Sequence, residues 1–183
     1  MSDLPFPLDG SALITGASNV GKTRLTARAL DAWIQRNGTD GVVVFEFGPE
    51  FEHEGRILGR RLSRFGAIPD GVWQGVLDAY APRAQGSTDA EALRLASDNA
   101  ARAARIVEAA PDDPRAVFVN DATIPFQAGD DPGLLTGYCD RAETAVLNAL
   151  SSDELGTDDP VSRHERAALD AFRAWADRIV DLG

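Results

Sequence analysis

Gly16-Ala17-Ser18-Asn19-Val20-Gly21-Lys22-Thr23 fits the pattern G-x-x-x-x-G-K-[ST], and its flanks have the order that a phosphate-binding loop needs. Ala12-Leu13-Ile14-Thr15 reads as a short apolar strand running in, and Thr23 to Gln35 runs out with Leu25, Ala29 and Trp33 at helical spacing. The glycines let backbone N–H groups curl around a β-phosphate, while the helix N-terminus adds its positive dipole end. Lys22 is expected to reach the β- and γ-phosphates and the Thr23 hydroxyl to ligate Mg²⁺. Arg24, next along, completes the expected nucleotide-binding set 16–24.

The composition sharpens that reading. Of 18 basic residues only one is a lysine, and it is Lys22. Arginine replaces lysine everywhere except where a compact, flexible ammonium suits the task and a planar guanidinium fits poorly. The chain of 183 residues is long enough for one domain with a proper core, so 1–183 is expected to be a single nucleotide-binding domain. A net charge of −11 argues against holding a nucleic-acid backbone, which requires a basic footprint. No apolar run approaches a membrane span, residues Met1 to Leu8 lack the features of a signal peptide, and one cysteine, Cys139, excludes an internal disulfide. The expected compartment is the cytoplasm, and the composition is compatible with a homo-oligomer. Abundant Asp (20 of 29 acids) with scarce Lys suits a GC-rich genome or adaptation to high salt.

Strand and helix patterns alternate along the chain. Gly41 to Phe47 is an apolar run of the buried parallel type, followed by an acidic loop to Glu54 and an arginine-rich helix expected over Gly55 to Phe65. Val72 to Asp78 reads as a short strand and Pro82 to Ser87 as loop, with Ser87 or Thr88 capping a helix that runs to Ala110. Ala116 to Val119 and Thr144 to Asn148 read as strands, Ser162 to Asp177 as a helix and Ile179 to Leu182 as a closing strand. Repeated β-α units of this length imply an α/β fold, a mainly parallel sheet with helices on both faces. With the glycine loop, that is the P-loop NTPase fold.

Asp121 is the second anchor: an acid at the carboxyl end of an apolar strand downstream of the loop is where such folds hold Mg²⁺ or its water. Asn120 and Thr123 are weaker neighbours. Glu46 ends another strand at the same expected rim, as a candidate general base or a carboxylate paired with an arginine. Arg56, Arg60 and Arg64 would form one stripe on a helix, with Arg61 beside them, and could clamp the transferred phosphoryl group. The alternative is local pairing with preceding glutamates, such as Glu52 with Arg56. Arg163 and Arg166 are smaller candidates for the same work. His53, His164 and Cys139 lack metal-ligand spacing, which argues against zinc.

The order of these parts resembles the adenosylcobinamide kinase family of P-loop nucleotide-dependent transferases. Leu13-Ile14-Thr15-Gly16 into Gly21-Lys22-Thr23 looks like that family's loop, and Glu52-His53-Glu54-Gly55-Arg56-Ile57 is similar to its acidic lead into an Arg-Ile helix. Trp73, Asn120-Asp121-Ala122-Thr123, and Arg163 with Ala176-Asp177-Arg178-Ile179-Val180 echo its later parts. Two departures stand out. The chain has Asn19-Val20 where the family usually has Arg-Ser, and Arg60 where bifunctional members carry a guanylylated histidine. Asn19 to Lys22 also looks like the loop of small GTPases, and Asp130-Asp131-Pro132-Gly133 fits D-x-x-G. A chain whose only lysine is Lys22 cannot contain the N-K-x-D motif that selects guanine in those proteins.

The resemblance and the motifs together imply a Mg²⁺-dependent enzyme that binds ATP or GTP through residues 16–24 and transfers a phosphoryl group to a small-molecule acceptor. Lys22 and Arg60 would neutralise the transferring group, Thr23 and Asp121 would hold the metal, and Glu46 or Asp121 would orient the acceptor. The competing expectation is a nucleotide-gated switch module acting on a protein partner.

Overall fold

The computed structural model describes residues 3–53, 56–58, 60–152 and 158–183. Strand β1 (Gly10–Gly16) leads through the glycine loop into helix α1 (Lys22–Asn37), and the chain then enters β2 (Val42–Glu46). A short hairpin follows, β3 (Phe51–His53) paired antiparallel with β4 (Arg56–Leu58), and then a 3₁₀ turn over Leu62–Phe65. Next come β5 (Trp73–Val76), the short α2 (Pro82–Gln85), the long α3 (Asp89–Ala109) and β6 (Ala116–Asn120). A 3₁₀ turn at Ile124–Phe126, α4 (Gly133–Cys139), β7 (Thr144–Leu150), α5 (Pro160–Trp175) and β8 (Arg178–Asp181) complete the order.

Six strands form one sheet in the order β5-β2-β6-β7-β1-β8, and every pair in it is parallel. Alternation along the strands explains how both faces are covered. Leu13, Val43, Phe45, Val117, Val119 and Leu147 share one core cluster, which the apolar stripes of α3, α4 and α5 complete through Ala103, Leu135 and Phe172. Their strand neighbours Ile14, Val44, Phe118 and Val146 share the opposite cluster with Leu25, Ala29 and Trp33 of α1. Strands apolar on both faces need helices on both, and an all-parallel sheet supplies them through its crossovers.

Parallel register also brings the strand ends to one rim. Gly16 lies beside Leu150, Thr15 beside Asp181, and Glu46 beside both Asn120 and Val76. Ligands in open α/β sheets bind outside this carboxyl edge.

The expected arginine helix over Gly55 to Phe65 is a correction. The chain forms β4 and then the 3₁₀ turn, with Arg61 extended at its start (φ −77°, ψ 152°), so Arg56, Arg60 and Arg64 share no helical stripe. Two glycines in that window weaken a helix, and Arg56-Ile57-Leu58 suits a strand equally well. The expected Glu52–Arg56 pairing rests on side chains outside what the structure describes, and Glu54 lies outside the described residues. Two further elements were not expected: α2 inside a predicted loop, and α4.

Candidate functional site

Strand β1 ends in a loop whose conformation is demanding. Asn19 (φ 62°) and Gly21 (φ 103°) are both left-handed, an arrangement that turns successive backbone N–H groups toward a common concavity. Helix α1 begins at Lys22 with no side-chain cap and no acid in its first turn, so no carboxylate there opposes an anion at its positive dipole end. Lys22 is buried, and its Nζ donates to the Ala17 carbonyl across the loop.

From Thr23 a chain of buried amides runs along the rim. The Thr23 hydroxyl donates to Asn120 Oδ1 (3.2 Å), which also accepts from Asn148 Nδ2 (3.0 Å). Asn120 Nδ2 in turn donates to the Arg60 carbonyl (2.7 Å) and to Glu46 Oε2 (3.3 Å). Asn148 spans β7 to α1, donating to Thr26 Oγ1 (2.8 Å) while its Oδ1 accepts the Asp121 N–H (2.8 Å). Sequence reading passed over Asn148, because a polar residue inside an apolar strand identifies itself only once its neighbours are known.

Asp121 adopts a left-handed backbone (φ 57°), tolerated by Asp more readily than by most residues. Its carboxylate lies against the Gly48 Cα: a Cβ at Gly48 would fall 1.8 Å from Asp121 Oδ2. Burial pushes its pKa up to about 6, opposed by the nearby Lys22 ammonium and reinforced by the Glu165 carboxylate. Glu46 is 2% exposed. Burial raises its pKa to about 7, against the lowering effect of hydrogen bonds from the Leu62 N–H (2.9 Å) and Asn120.

A cavity of about 460 Å³ opens over this rim. Residues 18–24, Arg60 and Asp121 line it together; Gly16, Ala17 and Glu46 do not. Glu46 sits behind Asn120 and anchors the segment that carries Arg60 through the Leu62 N–H; its hydrogen-bond partners are that N–H and the Asn120 amide. Arg64 pairs with Glu50, and Arg61 approaches Asp78 at 4.0 Å. Arg163 and Arg166 are exposed and stand apart from the cavity, whereas Glu165 between them turns inward to line it. Arg83, Gln127 and Glu165 form the far wall, and sequence gave no periodic or motif signal for them.

The donors near the Thr23 hydroxyl are all oxygens: the Asn120 amide and, one residue on, the Asp121 carboxylate. Among the described residues no cluster of three His, Cys, Asp or Glu could hold a metal by itself. A hydroxyl and a strand-end acid suit a hard cation that takes most of its ligands from phosphate and water. No helix among the described residues is long and apolar enough to cross a membrane. No protein-family model and no curated protein matches the chain.

Proposed function

We propose that the protein has the P-loop NTPase fold and is a Mg²⁺-dependent phosphotransferase, moving the γ-phosphoryl group of ATP or GTP to a small molecule, as its resemblance to the adenosylcobinamide kinases implies. One observation carries the reading. Lys22, Thr23 and Asp121 line the same cavity, at the mouth of a left-handed glycine loop that opens onto an uncapped helix N-terminus.

In this reading the backbone N–H groups of the loop and of the first turn of α1 bind the phosphates. Lys22 exchanges the Ala17 carbonyl for the β- and γ-phosphate oxygens, and Arg60 neutralises charge from the opposite side. Asp121, fixed by Asn148 and Gly48, accepts the proton of the attacking hydroxyl. Thr23, with the Asn120–Asp121 strand end behind it, would hold Mg²⁺, which supplies charge neutralisation of the phosphates.

The test follows the γ-phosphate of labelled ATP and GTP with Mg²⁺, with and without a small-molecule extract, in wild type and Lys22→Ala. Label is expected in an organic product, falling by about a hundredfold or more in Lys22→Ala, the size of losing one preorganised charge at a transferring group. Label released only as slow, extract-independent inorganic phosphate favours a nucleotide switch instead. Full turnover in Lys22→Ala overturns the site.

A further inference from the structure

The half of the cavity away from the glycine loop is built around one buried carboxylate. Glu165 on α5 is 6% exposed; its Oε1 pairs with Arg83 Nη1 at 2.7 Å, and its Oε2 accepts from Thr123 Oγ1 (2.9 Å) and Gln127 Nε2 (3.0 Å). Three segments, α5, the turn after β6 and the short α2, are thereby held as one wall. Arg83 Nη1 also donates to Ser162 Oγ (3.0 Å), so α5 holds the guanidinium through two residues. Both bonds use one nitrogen, and the fork keeps donors on its others.

Gln127 is 1% exposed and lines the cavity, yet its Oε1 is buried with no hydrogen-bond partner. The amide cannot be turned to relieve this. Its oxygen would then face the Glu165 carboxylate, which accepts and does not donate. A buried amide oxygen left unpaired is costly, so the position marks a place for a donor from a ligand, once a small shift of the Gln127 side chain brings that oxygen to the cavity surface.

Charge selects the kind of ligand. Arg83 and Glu165 cancel one another within this wall; the other charges lining the cavity are the Asp121 carboxylate and three cations, Lys22, Arg24 and Arg60, which the phosphotransferase reading gives to the triphosphate. The wall therefore offers hydrogen bonds with no surplus positive charge, which disfavours a second anion beside a triphosphate. A hydroxyl group both donates and accepts, as Gln127 Oε1 and the Arg83 fork together require. Ala81, Pro82, Ala84 and Ile124 supply short apolar surfaces for C–H faces.

We propose that this wall is the acceptor subsite and that the acceptor is a small neutral polyol. One hydroxyl faces Asp121, and a neighbouring hydroxyl donates to Gln127 Oε1 while accepting from Arg83. The inference rests on the phosphotransferase reading. The acceptor oxygen bonds to the γ-phosphorus as the bond from that phosphorus to the β–γ bridging oxygen breaks. The hydroxyl proton passes to the Asp121 carboxylate, leaving a nucleoside diphosphate and a polyol monophosphate.

The experiment offers γ-labelled ATP and GTP with a panel of neutral polyols (a hexose, a ribonucleoside, a cyclitol) and anionic counterparts (a sugar acid, a sugar phosphate). Wild type is expected to label at least one neutral member, and Lys22→Ala none. Gln127→Met is expected to raise the ratio of the polyol KM to the nucleotide KM roughly tenfold, the worth of one hydrogen bond. Because Gln127 is buried, Ala84→Phe at an exposed position of the same wall gives a second probe, expected to abolish transfer to the neutral member. Labelling confined to anionic acceptors overturns the proposal. So does no labelling of any neutral member while Lys22-dependent hydrolysis persists, an unchanged KM ratio in Gln127→Met, or undiminished transfer in folded Ala84→Phe. Absence of any Lys22-dependent turnover overturns the phosphotransferase reading itself.

Discussion

Glu46 shows what burial does to one carboxylate. Its folded pKa of about 7 lies above the ordinary 4.5, so between those values the native state holds a proton that the unfolded chain releases. Stability from this group is therefore gained as pH falls through 7 toward 4.5, and lost as pH rises. The ligand-free protein is expected to melt at higher temperature at about pH 5.5 than at about pH 8, with Asp121, also raised, acting in the same direction. Glu46→Gln keeps an oxygen for the Leu62 N–H without the buried charge. Its amide N–H₂ would then face the Asn120 Nδ2 donor, so the variant is expected to flatten this pH dependence without a net gain in stability at about pH 8, read by denaturant unfolding. At this scale sequence identified the acid and its strand end. It did not show that Glu46 faces Asn120 and Leu62, because those partners arrive from distant parts of the chain.

At the scale of elements, the start of α3 was legible in the sequence, whereas the helix expected over Ser162 to Asp177 begins and ends two residues earlier, at Pro160 and Trp175. Thr88 caps α3 as its position suggested, accepting the Glu91 N–H at 3.1 Å. Asp159 caps α5, accepting from the Ser162 N–H (2.9 Å) and hydroxyl (2.7 Å), and Pro160 opens the helix where its missing N–H does no harm. Asp159→Ala is expected to cost about 1 kcal/mol, roughly 2–4 °C of Tm in a chain of this size, with Asp159→Asn milder because Asn caps nearly as well. The arginine segment was misread because spacing of four residues is a helical signal only where the backbone is free to be helical. Pairing of β3 with β4 decided otherwise, and the three residues of a hairpin partner cannot be seen in the hairpin strand itself.

For the whole molecule, the formal charge of −11 predicts self-repulsion that salt relieves. Tm is expected to rise between low and molar KCl; a Tm that stays level would remove adaptation to high salt as the reason for the acidic composition. The α/β class was legible throughout, since apolar runs of strand length alternating with helical periodicity admit few packings other than a parallel sheet between helices. The glycine loop was legible too: its backbone needs are local, and residues at fixed spacing meet them within one strand, one turn and one helix start. Strand order was another matter. β7 stands between β1 and β6, so the Thr23–Asn120 contact is made across an intervening strand whose Asn148 completes it. The far wall joins residues from α2, the turn after β6 and α5, separated by up to 82 positions from Arg83 to Glu165. Local chemistry leaves its pattern in adjacent residues, whereas a wall built from three segments leaves none, because only packing of the sheet and its helices brings Arg83, Gln127 and Glu165 within hydrogen-bonding distance.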